Sequence, residues 1–177
     1  FLSDHQININ GKNIDNPFWQ LQDRYVTHFI AGKLTPTSFS FIHGDPTLQN
    51  IMQKNGKVCF IDPKAKFGNL WLYGDSKYDY AKLYYSVFGN YDRFNAGGYS
   101  LTVTDSGFEY AIDKPKFAEL DSWYLDYLKT KTGINPHQIK LIHALIWLRL
   151  VGYILPQNIE QAIVAFLHGS VLLSEEL

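Results

Sequence analysis

Along most of the chain apolar residues recur at helical spacing, and in a few short stretches they alternate with polar ones. Residues 1 to 14 are mostly polar and hold an Asn10-Gly11 turn signal, which predicts a loop or a loose hairpin. Asn16-Pro17 has the pattern of an N-cap followed by a first helical residue. Phe18, Leu21, Tyr25, Phe29 and Ile30 then predict one helix, stopped at Gly32. After the loop Thr35-Pro36-Thr37-Ser38, the apolar Phe39, Phe41 and Ile42 lead into the polar turn His43-Gly44-Asp45-Pro46. Asn50 to Gln53, the turn Asn55-Gly56 and Lys57 to Ile61 predict a tight hairpin. Residues 63 to 74 are irregular, with Gly68 and the aromatics Phe67, Trp71 and Tyr73. Ser76-x-x-Asp79 is a capping-box pattern opening a helix through Tyr80, Leu83, Tyr84 and Val87. Tyr99 to Val103, the turn Asp105-Ser106-Gly107 and Phe108 to Ile112 predict a second hairpin. Three helices follow, at Pro115 to Lys131 with Gly133 as stop, at Pro136 to Leu155, and at Asn158 to Leu173. The expected fold class is α+β, mostly helical with two small β-hairpins, in a single domain over 1-177.

Composition narrows the classes of function. Apolar residues make up 46% of the 177, enough for a sizeable core. Lys and Arg number 16 against 17 Asp and Glu, a net charge of -1 that offers no field for attracting nucleic acid. Cys59 is the only cysteine, so no intrachain disulfide is available and a reducing cytoplasmic setting fits. No N-terminal stretch reads as a signal peptide. The most apolar run, Leu141 to Leu155, is interrupted by His143, Arg149 and Gly152, and is expected to be a buried core helix rather than a membrane span. His5, His28, His137, His143 and His168 have no metal-ligand spacing, so core or surface roles are expected for them.

The chemistry concentrates between His43 and Asp79. Asn50 lies five positions after Asp45, and Asp62 twelve after Asn50, at the end of the apolar run Val58-Cys59-Phe60-Ile61. Phosphoryl transfer needs a carboxylate to orient a hydroxyl and take its proton, and hard oxygen ligands for a divalent metal at the phosphates. An Asp on one loop, an Asn amide oxygen and an Asp on the adjoining hairpin supply these parts, and the Asn55-Gly56 turn would bring Asn50 and Asp62 side by side. Each residue has a structural alternative: Asp45 as a turn residue before Pro46, Asn50 as a loop amide, Asp62 as a strand end, and Asp79 as the partner of Ser76 in the capping box.

His43-Gly44-Asp45-Pro46-Thr47-Leu48-Gln49-Asn50 resembles the His-x-Asp-x4-Asn catalytic loop of the aminoglycoside phosphotransferase and choline kinase-like enzymes, small-molecule kinases with a protein-kinase-like fold. Ile61-Asp62 is similar to their metal-binding aspartate, and Gly74-Asp75-Ser76-Lys77-Tyr78-Asp79-Tyr80-Ala81 to the segment opening their next helix. Ile61-Asp62-Pro63-Lys64 and the Tyr78-Asp79-x-Ala81-Lys82-Leu83 run resemble phosphotransferase-like proteins of bacterial capsular polysaccharide biosynthesis. The resemblance covers residues 39 to 90, and the helical tail more loosely. It implies a catalytic loop over 43-50, a metal-binding segment over 58-64 and a helical remainder over 76-177. Asp45 would be the catalytic base, Asn50 and Asp62 the Mg²⁺ and nucleotide-phosphate ligands, His43 a structural support of the loop, and Asp79 its brace. Mg²⁺ and ATP are the implied cofactors, and a small hydroxyl compound, sugar or capsule precursor the implied acceptor.

The glycine-rich hairpin and strand lysine of such kinases have no counterpart here, and only 42 residues precede His43. The expectation is therefore a C-terminal lobe without its N-terminal nucleotide lobe, which would belong to the same parent chain, and weak or undetectable kinase activity for these residues alone. Pro63 removes a backbone donor after the metal aspartate, and Lys64 or Lys66 are candidates to reach phosphate instead. Trp71, Tyr73, Trp123 and Trp147 are candidates to line an acceptor groove, with core packing as their competing fate. Two other readings stand beside the kinase. One is a non-catalytic, pseudokinase-like binding module; the other is a metal-dependent phosphohydrolase using His43 and two Asp.

Overall fold

In the computed structural model, residues 4–64 and 69–177 are described. Lys66, Phe67 and Gly68, named above as a phosphate-binding candidate, an aromatic and a loop glycine, lie outside them. The chain divides into two compact units, one formed by 1–35, 98–112 and 144–177, the other by 36–97 and 113–143.

The first unit is built on a four-stranded sheet. Strands β1 (Gln6–Ile9) and β2 (Lys12–Asp15) form a regular hairpin around Asn10-Gly11, both residues at positive φ as the two-residue turn requires. Strands β7 (Tyr99–Thr104) and β8 (Gly107–Ile112) form another hairpin, and the sheet order is β2-β1-β8-β7. The β1–β8 junction is parallel and short, and Asn10 extends it: its backbone N–H donates to the Phe108 carbonyl at 2.8 Å, and its side chain exchanges two hydrogen bonds with the Tyr110 backbone. Gly107 is required here, because a Cβ would run into the Asn8 carbonyl.

Helix α7 (Ile159–Ser174) covers this sheet, and Leu167 joins Ile7 and Ile9 in a buried cluster ringed by Ile14, Leu101, Phe108 and Ile163. Helix α6 (Pro136–Ile154) contributes its second half to this unit, with Trp147 fully buried and edge-on to His168 at 4.8 Å. Trp147, a groove candidate with core packing as its competing fate, is therefore a core residue. The His168 ring accepts from or donates to the Tyr110 hydroxyl at 3.0 Å, and burial pushes its pKa down to about 4. Among the described residues no helix is long and apolar enough to cross a membrane, and the Leu141 to Leu155 run lies in α6 up to Ile154, with Leu141, Ala144, Ile146, Trp147 and Ile154 buried and Leu155 exposed beyond its end.

The expected first helix is broken in two. Asn16 caps α1 (Pro17–Gln20), as its pattern predicts. Asp23 then restarts the chain as α2 (Arg24–Leu34), its carboxylate accepting from the Tyr25 and Val26 N–H groups. A local side-chain cap overrides the continuous apolar spacing. Gly32 does not end α2. Thr35 does, held in extended geometry by the proline that follows.

The second unit holds the short β3–β6 pair (Ser40–Phe41 with Tyr73–Gly74) and the β4–β5 hairpin (Ile51–Lys54 with Lys57–Phe60) around Asn55-Gly56. Helices α3 (Ser76–Val87), α4 (Tyr91–Asn95), α5 (Asp121–Thr132) and the first half of α6 pack through Ala81, Tyr84, Phe94, Leu125, Leu128 and Ile139. Helix α4 is not anticipated by the pattern, and α5 begins at Asp121, later than the expected Pro115, after a single 3-10 turn at Ala118–Leu120. The α+β class stands: the two expected hairpins form, the segment read as a loop or a loose hairpin forms a third, and β1–β2 and β7–β8 join in a mixed four-stranded sheet.

Two outcomes follow from this packing. Trp147→Ala should destabilise the chain by about 3–5 kcal/mol in urea unfolding, the cost of emptying a fully buried indole site. Between pH 6.5 and 4 the unfolded chain takes up a proton at His168 that the folded chain refuses, so stability should fall as pH drops through that window. The loss from this group is up to about 3 kcal/mol, and a His168→Phe variant should show a correspondingly flatter dependence.

Candidate functional site

Helix α3 presents Asp79, Lys82 and Ser86 at i, i+3 and i+7, spacing that aligns them along one face. Each meets the segment 43–50. The Asp79 carboxylate accepts from two successive backbone groups, the His43 N–H at 2.7 Å through Oδ2 and the Gly44 N–H at 2.8 Å through Oδ1. The Lys82 ammonium stands 3.2 Å from Asp45 Oδ1, as an ion pair rather than an aligned hydrogen bond. Ser86, buried, accepts from the Leu48 N–H at 2.8 Å and donates its own proton to Asp92 on α4.

The loop also holds itself. The Thr47 N–H and the Asn50 side-chain amide both donate to the Asp45 carbonyl, at 2.8 and 2.9 Å, and the Asn50 N–H closes a turn on the Thr47 carbonyl. Because the Asn50 Nδ2 is committed inward, its Oδ1 is the atom left for a ligand. The His43 ring bridges in two directions. Nδ1 accepts from the Asp45 N–H at 3.3 Å, which makes Nε2 the protonated nitrogen, and Nε2 donates to the Ile61 carbonyl at 2.9 Å. The ring is thus half-buried and fully engaged with backbone.

The β4–β5 hairpin carries the remaining parts. Its ladder continues one step beyond the strands, where the Ile61 N–H donates to the Asn50 carbonyl at 2.9 Å. Asp62 is therefore the next residue past Asn50's cross-strand neighbour, and it is exposed, in the left-handed region at φ 55°, which Asp tolerates better than most side chains. The chain then lies against the loop: the Lys64 N–H donates to the His43 carbonyl at 2.8 Å. Gly44, at φ 80°, faces Lys64 so closely that a Cβ would sit 3.0 Å from the lysine Cβ.

His43, Asp45, Asn50 and Asp79 are joined by these direct hydrogen bonds, and Asp62 stands at the end of the same hairpin. The capping-box expectation is corrected. Asp75 is the N-cap of α3, accepting from the Lys77 N–H at 2.9 Å and pairing with the Lys77 ammonium at 2.8 Å, so the Asp79 carboxylate is turned to the loop. Trp71, Tyr73 and Trp123 are more than half exposed and do not enter a core. Phe41, Met52, Val58 and Phe60 are exposed as well, so the β4–β5 hairpin and its surroundings present apolar side chains to solvent.

Oxygen donors suit a hard cation, and the pairing of one amide oxygen with one carboxylate leaves room for the waters and phosphate oxygens that Mg²⁺ keeps in its shell. Among the described residues no cluster of three or more His, Cys, Asp or Glu side chains is arranged to hold a metal. The phosphohydrolase reading requires such a cluster, and both His43 nitrogens are already engaged.

Lys82, Ser86 and Asp92 carry no role in the sequence reading. For Lys82 and Ser86 the signal is positional: once Asp79 is turned toward the loop, the residues three and seven further along the helix must face it too. Compared with family models, with characterised proteins and with solved structures, the chain matches none.

Removing the Asp79 carboxylate frees two adjacent amides at once. In Asp79→Ala, hydrogen exchange at His43 and Gly44 should accelerate at least tenfold, while the α7 amides keep their protection. Equal loss throughout would mean that Asp79 serves global stability instead.

Proposed function

We propose that the chain is the C-terminal lobe of a kinase-like small-molecule phosphotransferase, passing the γ-phosphate of ATP or another nucleoside triphosphate to a hydroxyl of a small alcohol, sugar or capsule precursor in the cytoplasm. The observation that carries this reading is the shared anchorage of its three parts. Asp79 fixes the start of the loop, the His43 ring ties that loop to Ile61, and Ile61 pairs with Asn50, so that Asp45 and Asn50 belong to one hydrogen-bonded assembly and Asp62 follows its member Ile61 in the chain.

Asp45 is well suited to receive the acceptor. Its side chain is 28% exposed, open enough for a hydroxyl to approach yet held from behind by the loop's own bonds. The acceptor oxygen attacks the γ-phosphorus as the bond from that phosphorus to the bridging oxygen breaks. The hydroxyl proton passes to the Asp45 carboxylate, and the nucleoside diphosphate leaves with the bond's electron pair. Asn50 Oδ1 and the Asp62 carboxylate would hold Mg²⁺, which when bound neutralises charge on the phosphate oxygens. His43, whose ring nitrogens are both occupied by backbone, organises the loop and exchanges no proton with substrate.

The exposed apolar side chains around β4–β5 support a companion lobe supplied by the same parent chain, since a patch of this kind on a soluble surface generally marks a place where something docks. A nucleotide-covering lobe seated there would also shield the phosphates from water, which these residues alone do not do.

In the full-length protein, offered labelled ATP, Mg²⁺ and a panel of hydroxyl acceptors, Asp45→Ala should lower turnover by about a thousandfold or more while the protein remains folded. Retained turnover would remove Asp45 from its role. A wild-type protein that binds metabolites and transfers no phosphate would favour the binding-module reading.

A further inference from the structure

We infer that Lys82 is a positioning residue for Asp45, one that selects which carboxylate oxygen takes the proton; this inference rests on the phosphotransferase reading above. Asp45 Oδ1 is buried and accepts no hydrogen bond among the described residues, although the side chain as a whole is 28% exposed. Burying a carboxylate oxygen without a partner is costly. The compensating group is the Lys82 ammonium, 3.2 Å away on a side chain that is itself only 12% exposed.

The lysine is held in turn. Its ammonium lies 4.6 Å from the centre of the Tyr85 ring and 5.6 Å from that of Tyr91, and these two rings stack on each other with centroids 4.6 Å apart. Tyr85 is fully buried, and burial, with Tyr91 and Asp45 close by, drives its hydroxyl well above the ordinary tyrosine range, so it stays neutral and adds no competing charge. Lys82 also lies one turn beyond Asp79, so the same helix that fixes the His43 and Gly44 amides fixes the charge facing Asp45.

The consequence is a division of labour within one carboxylate. Oδ1 faces Lys82 in the interior, which leaves the exposure of the group to Oδ2. Oδ2 is therefore the oxygen that meets the acceptor hydroxyl and receives its proton, and Lys82 holds the carboxylate plane so that it does. A flexible aspartate would spend much of its time in rotamers that present neither oxygen correctly.

Two measurements separate this inference from the reading beneath it. The first is a thermal-unfolding cycle on this chain with Lys82→Met, Asp45→Asn and the double variant. Lys82→Met alone should lower the melting temperature by several degrees, because it strands a buried charge. Most of that loss should disappear when Asp45→Asn is already present. Strictly additive shifts would overturn the pairing. The second is turnover by the full-length protein with MgATP and its best acceptor from a panel containing glucose, glycerol and choline. Lys82→Met should lower kcat at least tenfold with both KM values within about twofold, and Lys82→Arg should restore most of it. An unchanged kcat, or a loss confined to KM, would overturn the positioning role. Coupled melting temperatures in a wild-type protein that transfers no phosphate would support the ion pair and defeat the phosphotransferase reading, and Lys82's part in transfer with it.

Discussion

One carboxylate holding two neighbouring backbone amides is the contact on which the site depends. Asp79 takes the His43 and Gly44 N–H groups together, and charge-assisted bonds of this kind are stronger and more directional than those between neutral groups. With those amides fixed, the left-handed Gly44 turn is set, Asp45 is delivered over Lys82, and the His43 ring is aimed at the Ile61 carbonyl. The β4–β5 hairpin, mostly solvent-exposed on both its strands, gains its position from these tethers and from the Lys64 N–H bond to His43 rather than from a core beneath it. Helix α3 thus acts as a template read along one face, with Asp79, Lys82 and Ser86 each meeting a successive part of the loop.

This arrangement separates rigidity from exposure. The helices of the second unit bury Ala81, Tyr84, Tyr85 and Phe94 and provide a stiff base. The hairpin of the candidate site sits at the surface, while the loop buries Gly44, Pro46 and Thr47 and is also tied to that base by hydrogen bonds. Such a division would suit the two-substrate site proposed above, because hydrogen bonds fix direction while leaving space open. The first unit, with α7 laid across its four-stranded sheet, contributes its own core around Ile7, Ile9 and Leu167.

Local signals in the chain mark most elements and bring together much of the candidate site, and most of the failures share one cause. Asn10-Gly11, Asn55-Gly56, Asn16-Pro17, Gly133 and Asn158 are turn and cap residues whose effect is decided within four residues, and each acts as its type predicts. The split between α1 and α2 was also local, in the Asp23 cap, but the apolar spacing across it masked the break. What spacing could not supply was partnership over distance. The joining of β1 to β8 depends on Asn10 meeting Tyr110, one hundred positions away, and no pattern in either segment announces it. Asp79 shows the same limit from the other side. Ser76-x-x-Asp79 satisfies a capping-box pattern, yet Asp75 caps the helix and the carboxylate of Asp79 goes to the loop, because two unsatisfied amides there are a better partner than one helix terminus. Lys82 and Ser86 were invisible for that reason: their roles exist only once the face of α3 is known.

The central claim is that Asn50 and Asp62, brought to the open end of one hairpin, share a divalent cation. Its most direct test is a titration of the isotopically labelled chain with Mn²⁺, followed by amide NMR. The account predicts that signals of Asn50, Ile61 and Asp62 broaden first, that excess Mg²⁺ reverses the broadening, and that Asp62→Asn abolishes it. Broadening spread evenly over the acidic surface, or centred on residues away from this hairpin, would contradict it.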